Sequence, residues 1–150
     1  MTSSPAIFAA LLAIIAGGAA LAVQAPINAR LARAAGDPLL AAAISMGVGF
    51  AVLMPLAAAR GALPGLAQMG TAPWWAWAGG VLGAIYVWAV VWSVGTLGVV
   101  TLIAAMIAGQ MTAALVIDAT GAFGGQVHPI DARRLLAAAL VAGGVVLSRL

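Results

Sequence analysis

The chain of 150 residues carries six basic and three acidic side chains, and 65% of its residues are hydrophobic. Soluble domains have about a quarter charged residues, so a chain with 6% cannot cover its surface with groups that water solvates. This composition excludes a water-soluble globule, and the absence of cysteine excludes disulfides and thiolate metal sites. The arginines are scattered at the ends of apolar runs, which argues against a nucleic-acid partner.

The apolar runs have the length of membrane-spanning helices. A bilayer core about 30 Å thick needs about 20 apolar residues in a helix, and only helices and closed barrels satisfy their backbone groups in lipid. Because the runs show no alternation of polar and apolar residues, we predict an all-α polytopic bundle that forms one transmembrane domain. The five predicted helices cover residues 5–31, 38–58, 73–94, 97–118 and 132–148. The connections at residues 60–72 and 120–130 are predicted to lie in water.

Several helix ends have recognisable signals. Asp37 is the predicted N-cap of the second helix, with Pro38 at its first position, and Asp131 is the predicted N-cap of the fifth. The segment Gly95–Gly98 separates the third and fourth helices. The fifth run is short unless the two arginines in its first turn extend their side chains to the interface.

The charges do not favour one orientation of five spans. Cytoplasmic loops normally collect Lys and Arg, but the two sides of the predicted bundle carry three arginines each. The arginines on the two sides are Arg60, Arg133 and Arg134, and Arg30, Arg33 and Arg149. We therefore predict that the chain inserts both ways and pairs antiparallel with a second copy. The alternative is that the amino terminus, lipid or a partner chain imposes a single orientation.

Polar and aromatic side chains at membrane depth are candidates for binding a solute. Ser45, Tyr86, Trp88 and Gln110 lie near the centres of their predicted helices. Gln24 and Asn28 lie one turn apart on one face of the first helix, toward its far end, at the end of a groove of small residues. For Gln24 and Gln110, hydrogen bonding between helices remains an alternative. For Ser45, Thr101 and Thr112 we expect a bond to the carbonyl four residues earlier in the same helix, with solute contact as the alternative.

Angles of about 100° per residue sort the third helix into two faces. Gly79, Gly83, Tyr86 and Val90 form a face suited to close helix packing. The opposite face collects tryptophans, which we expect to meet lipid or a partner: Trp74, Trp77, Trp88 and Trp92.

Asp118 is a carboxylate in the last turn of the fourth helix, where it opposes the helix dipole. It is expected to pair with Arg133 or Arg134 across the next loop, as a structural lock or as a coupling-ion site. His128 has no second ligand beside it, so no metal site is predicted. The sequence has no constellation typical of an enzyme, and no cofactor is predicted.

Three segments resemble the YdcZ-like family of five-helix inner-membrane proteins in the drug/metabolite transporter superfamily. They are QAPINARLARAAGDPLLAAAISMGVG (24–49), PWWAWAGGVLGAIYVWAVV (73–91) and TLIAAMIAGQMTAALVIDATGAFG (101–124). The resemblance implies a bacterial inner-membrane protein whose five-helix unit pairs with a second copy or with a paralogous chain. It marks Gln24, Asn28, Tyr86, Gln110 and Asp118 as positions that match the family pattern.

One departure from the superfamily limits the mechanism. Small multidrug resistance transporters exchange a proton and a cationic drug at a glutamate in the first helix, whereas this chain contains no glutamate. We therefore expect a transporter or facilitator of a small polar solute, neutral or anionic, with its site at the interface of two protomers. The alternatives are a non-transporting membrane subunit that packs through its tryptophan face, and a passive dual-topology channel.

Overall fold

The computed structural model describes residues 4–124 and 126–150, and in these residues the chain is all-α, without a strand. Two compact units divide it, one ending at Gly95 and the other covering Thr96–Leu150. The first unit contains α1 (Ser4–Ala35), α2 (Pro38–Ala59) and all but the last two residues of α3 (Ala78–Leu97). The second contains α4 (Val99–Thr120) and α5 (Ala132–Leu147). Short 3₁₀ helices cover Leu63–Thr71, Trp74–Trp77 and Ala122–Gly124.

Four helical segments of the described chain are long and apolar enough to cross a membrane. They are Ile7–Ala35, Pro38–Ala59, Trp74–Leu97 and Val99–Thr120. The 16 residues of α5 cover only about 24 Å, at 1.5 Å per residue. The predicted all-α fold is confirmed with four candidate spans, and the fifth span stays a prediction.

The predicted caps are confirmed by their hydrogen bonds. The Asp37 carboxylate accepts from the backbone N–H of Leu40 at 2.7 Å, and Pro38 opens α2. The Asp131 carboxylate accepts from the N–H of Arg134 at 2.8 Å at the start of α5. Each acidic cap satisfies one of the N–H groups that a helix start leaves without an intrahelical partner.

Two helix boundaries differ from the prediction by more than three residues. Helix α1 continues to Ala35 rather than ending near residue 31, because nothing before Gly36 breaks it. Gly36 adopts φ +77°, a left-handed conformation that ends helices at little cost to glycine. Helix α3 begins at Ala78 rather than Pro73, because Trp74–Trp77 forms a separate 3₁₀ turn.

The break between α3 and α4 occurs where it was predicted. Helix α3 ends at Leu97, and Gly98 has φ +73° before α4 begins at Val99. A residue with a Cβ atom is strained in that region of backbone space, so the break depends on glycine.

The buried residues of the chain are few, and most are small. They are Ala25, Ala41, Ala42, Val90, Val91, Val94 and Leu102, with the polar Asn28 and Thr101. By contrast, residues 7–21 of α1 are all exposed. A long apolar stretch whose side chains are all exposed is the surface expected to meet lipid or another chain.

The predicted close approach of the glycine face of α3 is not observed as a tight contact. A methyl group added at Gly83 would lie 3.9 Å from the Met46 Cε atom, which is an ordinary contact, and one added at Gly79 would meet nothing within 4 Å. These glycines leave space on the helix surface rather than fitting against a neighbouring backbone.

Candidate functional site

The two amides of α1 occupy different environments, although the sequence places them on one face. Gln24 is exposed, whereas Asn28 is 4% exposed. The Nδ2 group of Asn28 is buried and has no hydrogen-bond partner among the residues that the structure describes. A buried donor left without an acceptor costs about 1–3 kcal/mol. Asn28 is therefore a side chain with unused hydrogen-bonding capacity inside the first unit.

Asn28 and Ser45 lie at the same level of the α1–α2 hairpin. Asn28 is seven residues before the end of α1 at Ala35, and Ser45 is seven residues after the start of α2 at Pro38. At 1.5 Å per residue, each lies about 10 Å from its end of the short turn. Helices α1 and α2 pack together, and Ser45 is half-buried. A hairpin with so short a turn brings this amide and this hydroxyl to one depth.

An open cleft of about 290 Å³ lies one helical turn from Asn28, beside the α1–α2 turn and the end of α3. Its lining residues are Ala29, Ala32, Arg33, Gly36, Pro38, Val91, Trp92 and Gly95. Arg33 is the charged residue of this lining, and none of the eight is acidic. The nearby Asp37 carboxylate accepts the Leu40 N–H as a helix cap. The cleft therefore presents a cation and an aromatic ring.

Sequence reasoning missed Arg33 and Trp92 as site residues. Arg33 entered only the comparison of charges on the two sides, and Trp92 only the tryptophan face. The sequence offered one signal for Arg33: it follows Asn28 by five residues on the same helix. It offered no such signal for Trp92, because the position of α3 beside this end of α1 is not visible in the sequence.

The aromatic candidates of α3 lie on different faces. Tyr86 is half-buried, whereas Trp88 is 38% exposed. The indole rings of Trp88 and Trp92 stack with centroids 6.1 Å apart and planes 17° apart. This contact confirms the predicted grouping of these two tryptophans and leaves Tyr86 on the other side of the helix.

The second unit places Gln110 and the predicted ion pair on α4 and α5. Gln110 is exposed. Asp118 accepts a hydrogen bond from Arg134 Nη1 at 2.8 Å, with side chains 42% and 36% exposed, respectively. The backbone carbonyl of Asp118 also accepts the His128 N–H at 2.8 Å. Of the two predicted arginine partners of Asp118, Arg134 forms the ion pair, and the Arg133 side chain is exposed.

The two threonines of α4 behave differently. Thr112 donates to the carbonyl of Ala108 at 2.9 Å, which confirms the predicted bond within its own helix. The same prediction is wrong for Thr101, which is 7% exposed and donates to the Ser148 carbonyl at 3.2 Å. Ser148 is the residue that follows α5, so the acceptor for Thr101 comes from the end of the neighbouring helix.

The described residues hold no group of three His, Cys, Asp or Glu side chains that could bind a metal ion. His128 lies in the connection before α5, where its Nδ1 atom is 2.9 Å from the Gln126 carbonyl. What the described site offers is therefore hydrogen-bond donors, hydroxyls, aromatic rings and one exposed guanidinium.

Comparison with protein families gives a match over most of the chain. The family model described as "Putative inner membrane exporter, YdcZ" matches residues 8–147. No curated protein and no solved structure matches the chain significantly. The matched region begins early in α1 and includes all of α2 to α5.

Proposed function

Because the chain belongs to the family described as "Putative inner membrane exporter, YdcZ", we propose that it exports a small polar solute, neutral or anionic. The chain is a multi-pass inner-membrane protein of a transporter family, with four helical segments able to span the bilayer. Its proposed site contains Gln24, Asn28, Ser45, Tyr86 and Trp88. Gln110 belongs to the proposal on sequence grounds.

The observation that carries this site is the buried Asn28 amide. Its Nδ2 group is buried and finds no acceptor in the described part of the chain, whereas buried polar groups are nearly always hydrogen-bonded. An acceptor atom of a solute would satisfy this donor. Ser45 lies at the same depth and supplies a hydroxyl that can donate or accept. The pair therefore suits a solute with a carbonyl, carboxylate or hydroxyl group.

The charge of the nearby cleft supports a neutral or anionic solute over a cationic one. Arg33 lines the cleft, and no acidic residue is among its lining residues. A cation at membrane depth without a counter-charge costs several kcal/mol, whereas an anion would be attracted to the guanidinium. We propose that this cleft is the vestibule through which the solute reaches or leaves Asn28.

We propose that the transporting form contains two chains in antiparallel orientation. The exposed surface of α1 at residues 7–21 offers a long apolar area for a second copy or a paralogous five-helix chain. The equal division of arginines between the two sides supports insertion both ways. Helix α5 would span the bilayer if Arg133 and Arg134 extend their side chains to the interface. In this arrangement the site repeats around a two-fold axis, as in transporters built from inverted repeats.

We propose that the Asp118–Arg134 pair is a structural lock rather than a coupling site. The pair joins the last turn of α4 to the first turn of α5, and Asp131 and His128 anchor the same connection. A coupling carboxylate must exchange its partner during transport, whereas this carboxylate already has a close cation. Transport should therefore survive removal of the pair.

A flux assay tests the proposal. Purified protein in liposomes is screened with radiolabelled small acids, amides and polyols, and saturable flux is measured for wild-type protein, Asn28→Leu and Thr112→Val. We expect saturable flux that Asn28→Leu abolishes and Thr112→Val preserves, because the Thr112 hydroxyl already bonds within its helix. Flux without saturation would support a passive channel. An absence of flux for every solute would support a non-transporting subunit.

Reporter fusions at the C-terminus test the paired arrangement separately. A periplasmic reporter and a cytoplasmic reporter should both be active if the chain inserts both ways. Activity of one reporter alone would remove the dual-topology proposal and leave the transport proposal standing, since a paralogous chain can supply the opposite orientation.

A further inference from the structure

The connection between α2 and α3 is longer than a turn and almost uncharged. Residues 60–72 were predicted to form a connection that lies in water. Between Arg60 and Ala78, however, Arg60 is the single charged residue. A connection that lies in water normally collects polar and charged residues, because it has backbone and side chains to solvate.

This connection has a regular structure with an apolar stripe. The 3₁₀ helix Leu63–Thr71 has three residues per turn, so side chains three apart lie directly above one another. Leu63, Leu66 and Met69 form one such column and are 41%, 57% and 42% exposed, respectively. The column of Gly65, Gln68 and Thr71 lies on a different side. The helix is therefore amphipathic, and among the described residues its apolar stripe remains about half exposed.

The position of this helix limits what can cover the stripe. It starts four residues after the spanning helix α2 ends at Ala59, and the next candidate span starts at Trp74. Both ends are thus held at the surface of the bilayer. Trp74 and Trp77 are 84% and 58% exposed, respectively, at the level where tryptophan side chains concentrate in membrane proteins.

An open cleft of about 680 Å³ lies beside the start of this connection. Its lining residues are Leu53, Leu56, Ala57, Arg60 and Ala62. Apart from Arg60, which follows the end of α2, the lining is apolar. An apolar cleft beside a guanidinium matches an acyl chain that ends at a phosphate.

We propose that Leu63–Thr71 lies in the plane of the membrane interface, with its leucine–methionine stripe among the lipid acyl chains and Arg60 at a phospholipid phosphate. Amphipathic segments of this kind insert about 5–10 Å into the boundary between headgroups and acyl chains. The helix then fixes the depth and orientation of α2 and α3 in the bilayer. This inference does not depend on which solute is carried, or on whether one is carried.

The chain has no cysteine, so single-cysteine variants give unambiguous labelling sites. Leu66→Cys places a label on the stripe, and Gln68→Cys places one on the other side of the same helix. Both positions are exposed in the chain, so an aqueous loop would treat them alike. Each variant is labelled with the fluorophore NBD and placed in vesicles of phosphatidylglycerol and phosphatidylethanolamine. A second set of vesicles carries bromine atoms on the acyl chains as quenchers.

We expect blue-shifted emission at position 66 and quenching by brominated lipid that is at least about twofold stronger than at position 68, because the two side chains lie at different depths. Lipid is present in both leaflets, so the measurement does not depend on chain orientation. Equal emission and equal quenching at the two positions would overturn the proposal. Blue-shifted emission at position 66 without quenching would also overturn it, because a protein surface would then cover the stripe.

Arg60→Gln tests the phosphate contact in the same vesicles. The fluorophore NBD is attached at position 62 in Ala62→Cys, and the quencher is a nitroxide on the lipid headgroup. Quenching should decrease when Arg60→Gln is added to this variant. The decrease should be absent in vesicles of a neutral glycolipid, which has no phosphate. No change in phospholipid vesicles would remove Arg60 from the proposal.

Discussion

Replacement of Asn28 by leucine should make the protein more stable and inactive in transport. Asn28 is 4% exposed, and its buried Nδ2 group has no acceptor within residues 4–124 and 126–150. An unsatisfied buried donor costs about 1–3 kcal/mol, and leucine has a similar size without a polar group. Measured hydrogen bonds between membrane helices contribute about 0.6 kcal/mol on average. We therefore expect the free energy of unfolding to rise by about 1 kcal/mol, the lower end of the range for an unsatisfied donor.

The assay is reversible unfolding of purified protein in mixed micelles, with Gln24→Leu as the matched control. Gln24 is an amide one turn away on the same helix, but its side chain is exposed. Substitutions at exposed positions usually change stability by less than about 0.5 kcal/mol. A transported solute, once found, should raise the stability of the wild-type protein in proportion to its binding and leave Asn28→Leu unchanged.

A loss of about 1 kcal/mol or more in Asn28→Leu would refute this reasoning. It would mean that the amide is hydrogen-bonded in the membrane, for example to a second chain, and that its role is structural. A stable variant that still transports would leave the physical argument intact and remove Asn28 from the site.

Four further substitutions test the second unit, including the break between α3 and α4, and each is measured by the same unfolding assay. Thr101→Val should lower the free energy of unfolding by about 1 kcal/mol, because it removes a part-buried hydrogen bond to the residue that follows α5. Thr112→Val should lower it by less, since its hydrogen bond lies within one exposed helical turn. Asp118→Asn should cost about 0.5 kcal/mol and preserve transport, because the pair with Arg134 is partly exposed to solvent; loss of transport at unchanged stability would contradict the lock. Gly98→Ala should cost about 1 kcal/mol, because alanine is strained at φ +73°; an unchanged stability would mean that the break relaxes.

Local chemistry made much of the fold predictable. The caps at Asp37 and Asp131 and the break at Gly98 depend on a few neighbouring residues, so their residue types indicate them directly. The segment Trp74–Trp77 was harder, because a 3₁₀ turn and a first helical turn have the same composition. The amphipathic character of residues 63–71 was missed for a different reason. The segment was predicted to be a connection in water, so no helical face was considered there.

The sequence by itself determined the solvent, the class of fold and the positions of the apolar helices, because these follow from charge content, run length and the residues at helix ends. Tertiary structure decided which polar groups are buried. Gln24 and Asn28 are equivalent by periodicity, but packing buries one and exposes the other. It also decided that Thr101 bonds to Ser148 and that Arg33 and Trp92 line one cleft. These relations join residues far apart in the chain, and the contacts between helices that create them leave no periodic signal in the sequence.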